Sequence, residues 1–96
     1  MTNTAIDRQE VIIRRKSVED DGIIYEYMLT ATENVAIYGT LYSIKLGMDF
    51  HGEESYSCLS ECFASREKAE RFFNLLSENL ATPNDLIYVF EDYISV

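Results

Sequence analysis

Ile23-Ile24-Tyr25-Glu26-Tyr27-Met28-Leu29-Thr30-Ala31-Thr32 is the stretch that decides the fold. In an extended chain Ile23, Tyr25, Tyr27, Leu29 and Ala31 share one face. Ile24, Glu26, Met28, Thr30 and Thr32 share the other. Period-two patterning in β-branched and aromatic residues predicts a strand with one more apolar side. Glu19-Asp20-Asp21-Gly22 precedes it, and Asp-Gly tolerates the positive φ angles of a tight hairpin.

Upstream of that turn, Val11-Ile12-Ile13-Arg14-Arg15-Lys16 reads as a first strand. Strict alternation places Val11 and Ile13 on one face and Ile12, Arg14 and Lys16 on the other. Residues 1–8 read as a frayed end. Downstream, Glu33-Asn34 predicts a turn and residues 35–50 a long third strand. Its parity changes midway: Val35 and Ile37 are odd, whereas Tyr42, Ile44, Leu46, Met48 and Phe50 are even. A β-bulge or sharp bend at Gly39 would reconcile the two sets. Residues 49–54 read as a loop around His51 and Gly52. Residues 55–63 form a fourth strand, with Leu59 and Phe63 on one face and Tyr56, Cys58 and Cys62 on the other.

At Ser65 the period shifts from 2 to 3.6. Ser65 suits an N-cap, and Ala69, Phe72, Phe73, Leu76 and Leu80 form an amphipathic stripe that Leu75 widens. Glu67 and Arg71 make a favourable i,i+4 pair. Ala81-Thr82-Pro83 then breaks the helix. Thr82 can cap a second helix with Pro83 in its first position. That helix carries Leu86, Val89, Phe90 and Tyr93 on one stripe and runs to the chain end. The expected fold is α+β: a four-stranded antiparallel meander, ββββαα, with both helices on one face. Residues 1–96 read as a single domain, with the meander over 9–63 and the helical pair over 65–96.

The chain has 96 residues, 8 Lys plus Arg, 17 Asp plus Glu, and a net charge of −9. Such an excess of carboxylates disfavours general nucleic-acid binding and docking on anionic lipid. No apolar run is long enough to span a membrane, and residues 1–10 lack a signal-peptide core. Cys58 and Cys62 are too few and too close for a disulfide framework; in one strand their Cα atoms would lie roughly 13 Å apart. A reduced, cytoplasmic protein is the expectation.

The pieces Tyr27-Met28-Leu29-Thr30, Tyr38-Gly39 and Ser65-Arg66-Glu67 are joined by a tail, Thr82-Pro83-Asn84-Asp85-Leu86 with Val89-Phe90-Glu91-Asp92-Tyr93. Together they resemble a small clostridial-type Firmicutes family described only as a domain of unknown function. The resemblance spans roughly three quarters of the chain, and the Thr-Pro-x-x-Leu…Val-x-Glu-Asp-Tyr tail is its most specific part. In that pattern a His often precedes the Leu, where this chain has Asp85. The resemblance implies a bacterial intracellular protein and brings no activity, ligand or catalytic residue.

The residues that could carry chemistry each have a plainer reading. His51 beside Asp49, Glu53 and Glu54 has no recognised metal spacing and reads as a solvated turn. Cys58 and Cys62 match no nucleophile signature and read as structural thiols. Glu53-Glu54, Asp20-Asp21 and Glu91-Asp92 sit at turns or on a helix flank. Arg14-Arg15-Lys16 suggests ion pairing to a neighbouring acidic strand. The seven tyrosines are less ordinary, since tyrosine buries ring area while its hydroxyl stays wet. Tyr38, Tyr42, Tyr56 and Tyr88 are the interface candidates; Tyr88 falls off the apolar stripe of its helix.

The leading expectation is a non-catalytic module that binds a protein partner or a second copy of itself, with no cofactor or metal. A second is a phage-type inhibitor, acting as an acidic mimic of nucleic acid or by blocking a protein partner; the mimic needs a continuous stripe of carboxylates uninterrupted by Arg14 and Lys16. A third is a minimal enzyme or metal protein built on Cys58, Cys62 and His51.

Overall fold

A computed structural model of the chain describes residues 9–95. The expected fraying of residues 1–8 lies outside them. Four strands, β1 (Glu10–Asp20), β2 (Ile23–Asn34), β3 (Gly39–Phe50) and β4 (Glu53–Phe63), form one antiparallel sheet in the order β1-β2-β3-β4. Two helices follow, α1 (Arg66–Glu78) and α2 (Leu86–Ile94). The α+β meander read from the sequence is the fold observed.

Two of the hairpins turn on residue pairs with positive φ: Asp21 at 54° with Gly22 at 79°, and His51 at 53° with Gly52 at 90°. Both central residues at positive φ is the geometry that suits the twist of a two-residue hairpin, and glycine meets it without a Cβ clash. The expected loop at 49–54 therefore contracts to His51-Gly52, and the strands run up to it from both sides.

The third strand is shorter than its apolar pattern predicts. Residues 35–38 form the β2–β3 turn, closed by the Tyr38 N–H on the Val35 carbonyl at 3.3 Å. The Asn34 side chain accepts from the Ala36 N–H at 3.0 Å. β2 and β3 pair without a register shift from Asn34–Gly39 to Ile23–Phe50. No bulge sits at Gly39: Val35 and Ile37 differ in parity from Tyr42 because they belong to the turn.

Bulges occur instead at two places that alternation alone does not mark. In β1 the register shifts between Ile12 and Arg14. Ile13 packs on the core, while Arg14 stands opposite Leu29 on the same side of the sheet. This corrects the strict alternation, which separated Ile13 from Arg14. In β4 the residues from Leu59 to Phe63 span the short step from Ile44 to Tyr42, with Glu61 at a φ of 49°. The extra length swings Cys62 against the core, away from the Tyr56 and Cys58 face to which alternation assigned it.

The helices cover the face carrying Tyr25, Tyr27 and Leu29 of β2, Ile44 and Leu46 of β3, and Phe63 of β4. Ala69, Phe72, Phe73 and Leu76 of α1 and Leu86 of α2 close the core from above. Phe63, Phe72, Phe90 and Tyr93 form an aromatic cluster with ring centroids 5.2 to 6.0 Å apart. Its tilted and edge-on pairings are the ones ring quadrupoles favour. The Arg14 guanidinium lies 5.0 Å from the Phe73 ring centroid and bonds Glu70 and Asn74, so it ties the edge strand to α1.

Ser65 caps α1 as expected, accepting from the Lys68 N–H at 3.2 Å, and Arg71 bonds Glu67 at 2.7 Å. The helix ends at Glu78, short of Leu80. The Ala81 N–H bonds the Leu76 carbonyl, with Leu80 at a φ of 51°, the arrangement of a Schellman-type stop. α2 begins later than its sequence suggests. The Thr82 hydroxyl donates to the Asp85 carboxylate at 2.9 Å rather than capping a helix starting at Pro83. Asp85 is the residue before the first turn. The buried Tyr27 hydroxyl donates to the Ala81 carbonyl at 2.9 Å and locks this inter-helix link onto the sheet.

Candidate interaction face

With both helices on one side, the other face of the sheet is left without a covering element among the described residues. Pairing register arranges its side chains in rows running across the four strands. Glu19, Ile24, Asp49 and Glu54 form the row next to the two glycine turns. Ser17, Glu26, Gly47 and Tyr56 form the next, followed by Arg15, Met28, Lys45 and Cys58. Beyond these, Ile12, Thr30 and Ser43 line up, and then Glu10 and Thr32.

Gly47 shapes the middle of the face. A Cβ placed there would meet the Tyr56 ring at 3.0 Å. Glycine thus lets the ring lie across the sheet, covering backbone that no side chain of its own protects. Tyr56 remains 72% exposed. Its hydroxyl donates to Glu54 at 2.9 Å, and that bond keeps the phenol protonated above its usual range. A depression of about 330 Å³ opens beside the ring, lined by Glu26, Met28, Lys45, Gly47, Tyr56 and Cys58. A smaller one of about 170 Å³ adjoins it between Ile24, Asp49, Glu54 and Tyr56.

Charge is unevenly distributed over these rows. Arg15 reaches Glu26 on the neighbouring strand at 2.7 Å, the cross-strand pairing expected of the basic run. Lys45 is drawn the other way, to Glu10 at 2.7 Å, and the Thr30 hydroxyl donates to the same carboxylate. The Lys45 and Thr30 bonds hold Glu10 below the ordinary carboxylate range, and Glu10 holds Lys45 above that of a free amine. Arg15 and Lys45, the cations of this face among the described residues, are therefore both committed. Glu19, Asp49 and Glu54 form no salt bridge among the described residues. Asp49 accepts from the Gly52 N–H at 2.9 Å, and Glu54 from Tyr56.

The four interface candidates do not converge. Tyr56 is central to the open face. Tyr38 stands at the tip of the β2–β3 turn, 92% exposed with a φ of 51°. Tyr88 projects from α2, 68% exposed. Tyr42 lies on the helix-covered side, partly buried against the core and paired with Ala31 and Phe63. The residues that surround Tyr56, namely Ile24, Met28, Gly47 and Cys58, carry the face; a glycine inside an apolar alternating run is the one sequence signal that marks it.

The candidate chemistry is dispersed as well. His51 sits in the β3–β4 turn, its ring 4.3 Å from that of Phe50. Cys58 lies mid-strand, roughly 15–20 Å farther along β4. Cys62 is partly buried, its thiol donating to the Tyr42 carbonyl at 3.7 Å, and burial pushes its pKa up to about 11. A thiol so raised stays protonated and weakly nucleophilic at neutral pH. Among the described residues no group of His, Cys, Asp and Glu side chains comes together as a metal site. Among the same residues no helix is long and apolar enough to cross a membrane.

A four-stranded meander roofed on one side and open on the other defines a small α+β domain with a sheet face to offer. A family model described as a family of unknown function, DUF6514, matches residues 8–96. The chain belongs to that family. No curated protein and no solved structure matches it.

Proposed function

We propose that this protein is a non-catalytic binding module that docks a partner protein on the open face of its sheet. It would work without cofactor or metal in the reducing cytoplasm of a clostridial-type bacterium, as its two free thiols and its tail motif suggest. The observation that carries the reading is the Tyr56 ring, exposed and propped over Gly47 between Ile24, Met28 and Cys58. Aromatic and methionine side chains of this kind are enriched where proteins meet, and a ring with few rotatable bonds loses little entropy on docking. A rigid sheet positions them without a loop having to order.

A self-associated form is the less favoured version, because each copy brings a charge of −9 to the contact. The acidic-mimic reading has no specific observation in its favour. Arg15 and Lys45 interrupt the carboxylates of the sheet, and Arg14 and Arg66 both bond Glu70 on the helix side.

The test is variant-dependent recovery of partners from the native host by tagged protein. Gly47→Val, which displaces the Tyr56 ring, and Met28→Glu should each deplete the same partner. Tyr88→Ala, on the far side of α2, should retain it. A partner profile unchanged by the sheet-face variants refutes the reading.

A further inference from the structure

The row of the open face nearest the glycine turns carries more than an apolar patch would need. Asp49 and Glu54 stand directly opposite one another on β3 and β4, and Glu19 completes the row across Ile24. Adjacent strands lie about 4.8 Å apart, so the three carboxylates span roughly 14 Å. Like charges directly opposite on a sheet are destabilising, and among the described residues no cation pairs with this row. Of the described cations on this face, Arg15 is held by Glu26 and Lys45 by Glu10. Immediately beside the row lie the apolar depression and the exposed Tyr56 ring.

We propose that the partner docks a basic segment here, with Lys or Arg side chains over the Glu19, Asp49 and Glu54 row and a neighbouring apolar side chain in the depression beside Tyr56. The proposal rests on the docking role of this face and adds the chemistry of its occupant. Charge complementarity selects among the alternatives. A second copy of this chain brings the same negative sign, and nucleic acid and anionic lipid do too. A cation seated between Asp49 and Glu54 turns a repulsive pair into two attractive contacts, and an arginine there can also stack on the Tyr56 ring. Because the row is solvent-exposed, binding is salt-dependent.

Three fluorescein-labelled peptides of equal length and apolar content serve as probes: one with Arg and Lys, one with Gln and one with Glu at the polar positions. Fluorescence anisotropy gives their affinities, and amide chemical-shift mapping locates them. The basic peptide should bind most tightly, shift the amides of the sheet and weaken as salt is raised. The triple variant Glu19→Gln, Asp49→Asn, Glu54→Gln should lose at least tenfold, about 1.4 kcal/mol. A triple variant of equal charge on the helix side, Glu78→Gln, Glu91→Gln, Asp92→Asn, should stay within twofold. Circular dichroism verifies that both variants fold.

Equal losses in the two triple variants would assign the binding to net charge and overturn the proposal. If the Gln peptide binds the same face as tightly as the basic one, the docking role stands and the basic partner falls. If no probe shifts the sheet amides, both fall. A dimer in sedimentation that shields this face would make the second copy the occupant and likewise overturn the proposal.

Discussion

Replacing Tyr27 by Phe should cost about 1–2 kcal/mol at neutral pH, because the Ala81 carbonyl loses the donor that satisfies it. Tyr27 is fully buried, and Phe fills the same ring volume, so lost packing contributes little. For a chain of this size each kcal/mol moves the melting temperature by roughly 4–8 °C, and a fall of about 5–15 °C follows. The same hydroxyl has a second signature. Burial, with a smaller contribution from Tyr25, raises its pKa from 10.0 to about 12. A folded-state value above the unfolded one means the contribution is complete below pH 10. It is lost as pH rises from 10 through 12, where the unfolded chain ionises first. Two units correspond to at most about 3 kcal/mol of alkaline sensitivity. Urea unfolding monitored by circular dichroism at pH 7, 9 and 11 measures both effects. The wild-type and variant curves should be separated at pH 7 and converge at pH 11. A loss below about 0.5 kcal/mol at pH 7, or a separation that does not shrink with pH, would refute the role assigned to this bond.

Phe73→Ala opens a cavity under α1 and removes the ring beneath Arg14; calorimetry should show a loss of about 3–5 kcal/mol. Tyr38→Asn should stabilise the protein by about 0.5–1 kcal/mol in urea unfolding, since an almost fully exposed tyrosine holds a left-handed backbone that asparagine adopts more readily. Glu10 has a lowered pKa, so its contribution is complete above the ordinary carboxylate range and is lost as pH falls through its folded value. Lys45→Met should flatten that acid limb in a pH series of unfolding midpoints.

The strands, two of the turns and the faces of both helices were legible because each is encoded locally. Alternation of Tyr25, Tyr27 and Leu29 against Glu26, Met28 and Thr30 sets which side chains travel together. Asp21-Gly22 marks a turn through its own backbone preference, and the Ala69, Phe72, Phe73, Leu76 stripe reads as a buried helix face from spacing alone. Local spacing fails where pairing with another strand takes over. Ile13 and Arg14 look like opposite faces until β2 imposes its register and β1 bulges. Cys62 appears to travel with Tyr56 until β4 has to reach Phe63 into the aromatic cluster. Val35 and Ile37 look like core strand residues because their apolarity says nothing of where the chain reverses.

The candidate site depended still more on tertiary structure. The Tyr25, Tyr27 and Leu29 face of β2 is the more apolar, but Ile24 and Met28 give its other face apolar side chains too, and β4 shows no clearly polar side. Only the docking of α1 and α2, locked by Tyr27 and Arg14, decides which face stays open. The row of Glu19, Asp49 and Glu54 likewise has no existence in the linear chain, since its members come from three strands and meet only through register. Composition shows a chain rich in carboxylates and tyrosines. Which of them share a surface is decided by long-range pairing, because a one-residue slip of any strand would send its side chains to the opposite face.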